Sequence, residues 1–146
     1  MKVRPSVLVI ENQHVLLMQY FYGGTDVYNL PGGNPDLGET LEQTLIRELQ
    51  EEMGIEIEIG KMLLSGEVIL PQQKNDVLHV VFAGEIIGGI PILNPSETSA
   101  KALVWKPITE IQHLEMYPNV GSELQRILFE GNGGQYIGRI RQKWHE

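Results

Sequence analysis

The sequence predicts a mixed α/β (α+β) fold in which helices pack on a central β-sheet. Two observations support this class. Short runs rich in Val, Ile and Leu alternate with turn residues both before and after one strongly periodic segment. In that segment, residues 40–53, apolar side chains recur every four positions, as in an amphipathic helix. The length of 146 residues is expected to form a single domain, residues 1–146, with a core that needs no cross-links.

The first part of the chain is predicted to form a hairpin, a short extended piece and a loop. Residues 6–10 and 15–20 are rich in β-branched and apolar side chains, and a polar turn separates them. Residues 27–30 form a short extended piece. Residues 31–35, with two prolines and two glycines, suit neither a helix nor a central strand and are predicted to be a loop.

The clearest helix is predicted over residues 40–53. Thr40 or the neighbouring Glu39 can cap its start. Gly54 can end it, because glycine readily adopts the left-handed conformation of a helix C-cap. The side chains expected on its apolar face are Leu41, Leu45, Leu49 and Met53, with Ile46 widening the stripe.

Three strands, a helical turn and a second helix are predicted after this segment. In chain order they are strands over 55–70, 77–87 and 102–105, a helical turn from Pro107, and a helix over 120–130. Gly60 and Ser65-Gly66 are expected to bend or bulge the first of these strands. The order β, β, α, β, β, β, α therefore indicates a mixed sheet with helices packed on it.

Composition excludes several classes of function. The formal net charge of −8 argues against general binding to nucleic-acid backbones or anionic membranes. The chain has no cysteine, so disulfides, thiolate metal sites and thiol nucleophiles are excluded. No stretch approaches the ~20 apolar residues of a membrane span. A cytoplasmic location fits these features.

The negative charge is concentrated in and around the first helix. Glu48, Glu51 and Glu52 are three and four positions apart, so their side chains share one helix face. Such crowding has two readings. It is a solvated surface, as most charge runs are, or it is a site for a hard cation such as Mg²⁺, which prefers carboxylate oxygens.

These acids belong to a longer spaced motif, which reads Gly33, Glu39, Arg47-Glu48-Leu49, Glu51-Glu52 and Gly54-Ile55. The pattern resembles the complete box of the Nudix hydrolases, and every specified residue stands at the family's spacing. The lead-in from Tyr28 to Gly33 also resembles the usual entry to that box. The resemblance implies a Nudix-type α/β/α sandwich with a mixed central sheet.

The resemblance also implies an activity, the Mg²⁺- or Mn²⁺-dependent hydrolysis of a nucleoside diphosphate linked to another group. Glu48, Glu51 and Glu52 would be metal ligands, with the Gly33 carbonyl as a further ligand. Arg47 would orient these carboxylates through ion pairs. The remaining box residues would shape the loop and the helix ends: Gly32, Glu39 and Gly54.

The general base is left open between a box glutamate and a glutamate from a later loop. Glu97, in the polar loop over 94–98, is the preferred later candidate, although a solvated loop acid is an equal reading. Glu85, near the end of a predicted strand, is the reserve.

The substrate is expected to be a small nucleotide, with ADP-ribose, a nucleotide sugar and a nucleoside triphosphate all open. Pro71 resembles a mark of ADP-ribose pyrophosphatases, but it also suits an ordinary turn. Relatives that act on dinucleoside polyphosphates often have a tyrosine near this position, where this chain has Gln72 and Gln73. The alternative function is a catalytically weak module that senses nucleotides. Intact box acids favour the enzyme.

Two further expectations concern basic residues. His79 lies in the strand over 77–87 and is expected to be a satisfied strand residue rather than a ligand. The basic tail over 139–145 could contact a phosphate, a second subunit in a homodimer, or only solvent.

Overall fold

The computed structural model describes residues 1–71 and 75–143. Gln72 and Gln73, which bear on the substrate prediction, and His145 in the basic tail lie outside the described residues. No helix within the described ranges has the length and apolar character needed to cross a membrane.

The predicted mixed α/β fold is confirmed. Its elements in chain order are β1 (Lys2–Glu11), β2 (His14–Tyr22), β3 (Thr25–Asn29), α1 (Leu41–Met53), β4 (Glu56–Val68), β5 (Val77–Gly88), β6 (Ala102–Pro107), a 3₁₀ helix (Ile108–His113), β7 (Met116–Tyr117), α2 (Gly121–Glu130) and β8 (Gln135–Arg139).

Strand β1 joins two parts of the sheet. The strand order is β7-β3-β2-β1-β5-β4-β8, and β6 also pairs with β2. Most of β1 runs parallel to β5, from the pair Lys2↔Val77 onward. The end of β1 instead pairs antiparallel with β2, through Ile10↔Val15. The sheet is therefore mixed, and the start of β1 lies beside the start of β5.

Helix α1 has the predicted caps. The Thr40 side chain accepts from the Gln43 backbone, and the Gln43 side chain accepts from the Thr40 backbone, which forms a capping box. Gly54 ends the helix in the left-handed conformation, with φ 69°. The expectation for Ile46 is wrong, because its side chain is 42% exposed and lies beyond the apolar face that packs on the sheet.

Two apolar clusters cover the two faces of the sheet. One lies beneath α1 and includes Leu45, Leu49 and Met53 together with β1 and β2 side chains. The other lies beneath α2 and includes Leu124 and Ile127. Packing of its apolar face therefore fixes helix α1 on the sheet, and its carboxylates lie away from that face and can form a site.

The sequence analysis did not anticipate strands β7 and β8. Strand β8 pairs parallel with β4, through Leu64↔Gln135. Its sequence contains glycine and lacks a clear alternation, so its partner rather than its own pattern makes it a strand. The Arg139 guanidinium in the basic tail donates to the Ile69 carbonyl at 2.6 Å, which ties the tail to the sheet. The predicted bends of β4 are present, with register shifts between Ile59 and Met62 and at Ser65/Gly66.

His79 is not the satisfied strand residue that the sequence suggests. Its side chain is 0% exposed, and neither ring nitrogen has a hydrogen-bond partner among the described residues. The ring packs edge-on against Tyr117, with the ring centroids 5.0 Å apart. Burial lowers the pKa of His79 to about 3, so the imidazole is neutral at pH 7.

We expect His79 to make the fold sensitive to acid. An unfolded histidine gains its proton near pH 6.5 and the folded one only near pH 3, so the contribution is complete above about 6.5 and is lost as the pH falls. Between pH 7.5 and 4.5, wild type should lose about 2 kcal/mol more unfolding free energy than His79→Phe. Urea unfolding at both pH values measures the difference. Equal losses in the two proteins would contradict this assignment.

Candidate active site

Helix α1 carries three carboxylates whose exposure to solvent increases from Glu52 to Glu48 to Glu51. Glu52 is buried, at 7% exposure. The side chains of Glu48 and Glu51 are 17% and 41% exposed. Their positions follow from the helical period, while the apolar face beneath α1 fixes the rotation of the helix. The structure thus brings the three predicted metal ligands to one side of the helix.

Arg47 lies at the centre of the acidic group. Its Nε contacts Glu39 Oε2 at 2.7 Å and Asp36 Oδ2 at 3.3 Å. Its Nη1 donates to Glu48 Oε1 at 3.0 Å and to Glu51 Oε2 at 3.3 Å. A guanidinium can hold several carboxylates at fixed angles because it is planar and carries five donors. Arg47 therefore sets where the two glutamates of α1 point.

Glu39 connects the preceding loop to α1. It accepts two bonds from Arg47, one from the Asp36 amide at 2.8 Å and one from Thr44 Oγ1 at 3.0 Å. The Arg47 bonds, followed by the Asp36 amide, lower the pKa of Glu39 to about 2. Glu39 is therefore ionised at any working pH, and its four bonds fix it as a structural support for Arg47.

The pKa of Glu52 is shifted in the opposite direction to that of Glu39. Burial, followed by the hydrogen bond and the negative charge of Glu48, raises the pKa of Glu52 well above its usual range. A buried carboxylate beside another carboxylate is costly to ionise without a positive partner. A cation bound between Glu48 and Glu52 would remove that cost.

The glycines of the loop allow β1, the loop and α1 to meet closely. A Cβ on Gly33 would lie 2.3 Å from Glu48 Cδ, and one on Gly32 would lie 2.3 Å from the Pro5 carbonyl oxygen. The Gly33 amide donates to that same Pro5 carbonyl at 3.3 Å. Glycine is therefore required at both positions, and Glu48 lies directly against the loop backbone.

The loop that carries Glu97 is fastened to the end of α1. The Asn94 amide donates to the Glu52 carbonyl at 2.8 Å, and the Asn94 side chain donates to the Glu51 carbonyl at 3.2 Å. The Glu97 side chain is exposed, and within residues 1–71 and 75–143 it makes no hydrogen bond or ion pair. The structure thus ties this loop to the backbone at the C-terminal end of α1, the helix that carries the three carboxylates.

Glu85 is not brought to this site. It is exposed on β5 and lines, with Lys61, a cavity of about 450 Å³ next to α2. That cavity also includes Leu8 and Ile127, which belong to the apolar cluster beneath α2. Glu85 is therefore on the other side of the sheet from the carboxylates of α1.

The donor set suits a hard divalent cation, although the side chains are arranged around Arg47. In the described part of the chain, no three His, Asp or Glu side chains converge closely enough to hold a metal ion as they stand. The bonds from Arg47 use Oε1 of Glu48 and Oε2 of Glu51, which leaves one oxygen of each for another partner. Carboxylate oxygens are the ligands that Mg²⁺ prefers, so the residues fit such an ion after small side-chain rotations.

Residues 2–126 match the family model of the NUDIX domain. The chain belongs to the Nudix family. The Nudix box predicted from the sequence is therefore the loop from Gly33 and helix α1, as described above.

Known proteins similar to the chain are consistent with this membership. A protein from Mycobacterium tuberculosis named "Putative 8-oxo-dGTP diphosphatase 3" is 31% identical over 128 residues, which cover 84% of this chain and 54% of that protein. The NAD-capped RNA hydrolase NudC of Vibrio vulnificus is 43% identical over 58 residues, covering 38% and 22%. The match thus covers about half the length of the Mycobacterium tuberculosis protein and a smaller share of NudC. A NUDIX hydrolase structure from Nitrosomonas europaea has the same fold, with a TM-score of 0.73, 17% identity and 90% of each chain covered.

Sequence reasoning missed two supports of the site, Asp36 and Asn94. Asp36 lies in the loop and contacts Arg47, and its only signal is an acid three residues before Glu39. Asn94 satisfies carbonyls at the end of α1, although it is far from them in sequence. A loop asparagine gives no sign of which helix it caps.

Proposed function

We propose that this Nudix protein hydrolyses a phosphoanhydride bond in a nucleoside diphosphate derivative, using a divalent cation held by Glu48, Glu51 and Glu52. The observation that carries the proposal is the buried Glu52 beside Glu48, with Arg47 orienting the neighbouring carboxylates. This arrangement makes the ionised form of Glu52 costly, and a cation bound beside it would offset that cost. A purely structural surface helix would have no reason to bury Glu52.

Each residue of the site has a proposed task. A bound Mg²⁺ or Mn²⁺ supplies charge neutralisation for the phosphates and lowers the pKa of water. Glu48, Glu51 and Glu52 would hold it, and the carbonyl of Gly33, whose Cα lies close to the Glu48 side chain, would be a further ligand. Arg47 keeps the carboxylates in position.

A carboxylate must also accept the proton of the attacking water. Glu97 and the box glutamates remain the two proposals for this base. Glu97 is supported by the fastening of its loop to α1 through Asn94. The Glu97 side chain is exposed and therefore accessible to a bound substrate.

The proposed substrates are small nucleotides with a diphosphate group. The names of the two curated relatives refer to 8-oxo-dGTP and to NAD-capped RNA, which share a phosphoanhydride. ADP-ribose, a nucleotide sugar and a nucleoside triphosphate are the three classes to compare. Pro71 lies at a turn after the end of β4 at Val68, as its reading as an ordinary turn residue expects.

A substrate panel tests the proposal. Purified protein would be incubated with ADP-ribose, a UDP-sugar, dGTP, 8-oxo-dGTP and diadenosine polyphosphates, each in Mg²⁺, Mn²⁺ or EDTA. Mass spectrometry would identify the phosphorylated products. We expect metal-dependent cleavage of one class into two phosphate-bearing fragments. If no compound is cleaved while nucleotides still bind, the catalytic proposal fails and the sensor alternative replaces it.

Gly33→Ala should impair activity while preserving the fold. The new Cβ would collide with the Glu48 carboxyl group, whose side chain must move away, so a ligand is displaced by about 1 Å or more. Turnover of the preferred panel substrate should fall about a hundredfold. The matched control is Gly133→Ala, whose Cβ would meet its nearest atom at 3.6 Å, an ordinary contact. Equal rates in the two variants would show that Glu48 is not needed where it lies.

A further inference from the structure

Arg4, on strand β1, has a half-buried side chain. Its guanidinium makes no hydrogen bond and no ion pair with any residue in 1–71 or 75–143. Arg47, the other arginine of the described residues that is not exposed, behaves differently, since it contacts four carboxylates. A partly desolvated guanidinium that no described carboxylate contacts by a hydrogen bond is unfavourable. Its position therefore suggests that the anion it binds comes from outside the chain.

Strand pairing places Arg4 beside the Nudix box. The next residue, Pro5, accepts a hydrogen bond from the Gly33 amide, and Gly33 lies against Glu48. On the other side of β1, Arg4 pairs with His79 of β5. Arg4 is thus one residue from the backbone that supports the carboxylate site.

Buried polar groups near Arg4 on β1 and β5 have no hydrogen-bond partner among the described residues. Ser6, at 1% exposure, is paired with Gly32, and its Oγ has no partner among the described residues. Both ring nitrogens of His79 are likewise unpartnered. Burial dominates the pKa values of Glu52, Tyr20 and His79, and the charge of Arg4 makes a smaller contribution that lowers each of them. The charge of Arg4 is therefore within electrostatic range of groups on α1, β2 and β5.

We propose that Arg4 binds a phosphate of the substrate, on the side of the site formed by β1 and β5. This inference rests on the proposed function, which supplies the diphosphate. A guanidinium presents paired N–H donors that match two phosphate oxygens. Glu48 and Glu52 need a cation between themselves and the substrate, whereas Arg4 contacts phosphate oxygens directly. The two groups together select a substrate with adjacent phosphates.

Equilibrium binding of ADP tests Arg4 without requiring turnover. Wild type, Arg4→Gln, Arg4→Lys and the control Arg126→Gln, which alters an exposed arginine on α2, would be titrated by calorimetry in EDTA and in Mg²⁺. We expect Arg4→Gln to weaken ADP binding by about tenfold to a hundredfold in both buffers, the range of a charged hydrogen-bonded contact. Arg4→Lys should recover part of the affinity, and Arg126→Gln should match wild type.

The outcomes separate this inference from the proposed function. Equal ADP affinity in all four proteins, or no measurable ADP binding by wild type, overturns the assignment of Arg4. A changed pH profile of turnover with unchanged ADP affinity also overturns it, because Arg4 would then only balance the charge of Glu52. If wild type cleaves no panel compound yet loses ADP binding on Arg4→Gln, the hydrolase proposal fails and the phosphate contact stands.

Discussion

Glu52→Gln is expected to abolish turnover while leaving the protein folded. The amide keeps the size of the side chain but removes the negative charge that a divalent cation needs. Stabilisation of the transition state by such an ion is worth several kcal/mol, so the rate should fall by at least about 10³-fold. Initial rates with the preferred panel substrate, at saturating Mg²⁺, measure the loss.

The control for Glu52→Gln is Glu42→Gln on the same helix. Glu42 is exposed in the first turn of α1, so its replacement changes the net charge equally without touching the site. We expect it to retain the wild-type rate. Wild-type turnover by Glu52→Gln would show that the assigned centre is wrong.

Stability gives a second readout of the same substitution. Without metal, Glu52 is a buried carboxylate in a crowded acidic group, which is unfavourable for folding. Metal-free Glu52→Gln should therefore be at least as stable as metal-free wild type in urea. A large loss of stability would mean that Glu52 supports the fold rather than the chemistry.

Arg47→Lys is expected to have the second largest effect. Lysine keeps the charge, but a single ammonium group cannot hold Glu39, Glu48 and Glu51 at the angles that the guanidinium sets. Loss of a residue that orients metal ligands typically costs 10–100-fold, and we expect turnover to fall by about that factor. The required Mn²⁺ concentration should rise together with the loss of rate.

Arg126→Lys is the matched control for Arg47→Lys, because Arg126 is exposed on α2. It should leave both the rate and the Mn²⁺ requirement unchanged. If Arg47→Lys also behaves like wild type, the ion pairs of Arg47 are dispensable and only its charge matters.

The buried face and the ends of helix α1 could be predicted from the sequence because short-range patterns determine them. The spacing of Leu45 and Leu49 gave the buried face of α1, and Thr40 and Gly54 marked its ends. Ile46 was misjudged because a helix projection does not show how wide a face the sheet covers. Local pattern thus fixes the carboxylates on one side of α1, which is why their grouping could be predicted.

The parts that the sequence did not reveal depend on contacts between distant segments. Residues 135–139 form strand β8 because they pair with β4, whereas their own sequence shows little of the pattern of a strand. Arg4 lies close in the fold to the loop before α1 because Ser6 of β1 forms an antiparallel bridge with Gly32, and it lies beside His79 because β1 pairs in parallel with β5. That the ring nitrogens of His79 have no hydrogen-bond partner among the described residues could likewise be recognised only once its neighbours were known.

The most direct test of the central claim is Mn²⁺ binding measured by electron paramagnetic resonance. Wild type, Glu52→Gln and Glu42→Gln would be titrated with Mn²⁺ in the absence of substrate. We expect Glu52→Gln to bind the ion at least about tenfold more weakly, and Glu42→Gln to bind it like wild type. Equal affinity in all three proteins would contradict the assignment of the carboxylates of α1 as the metal site.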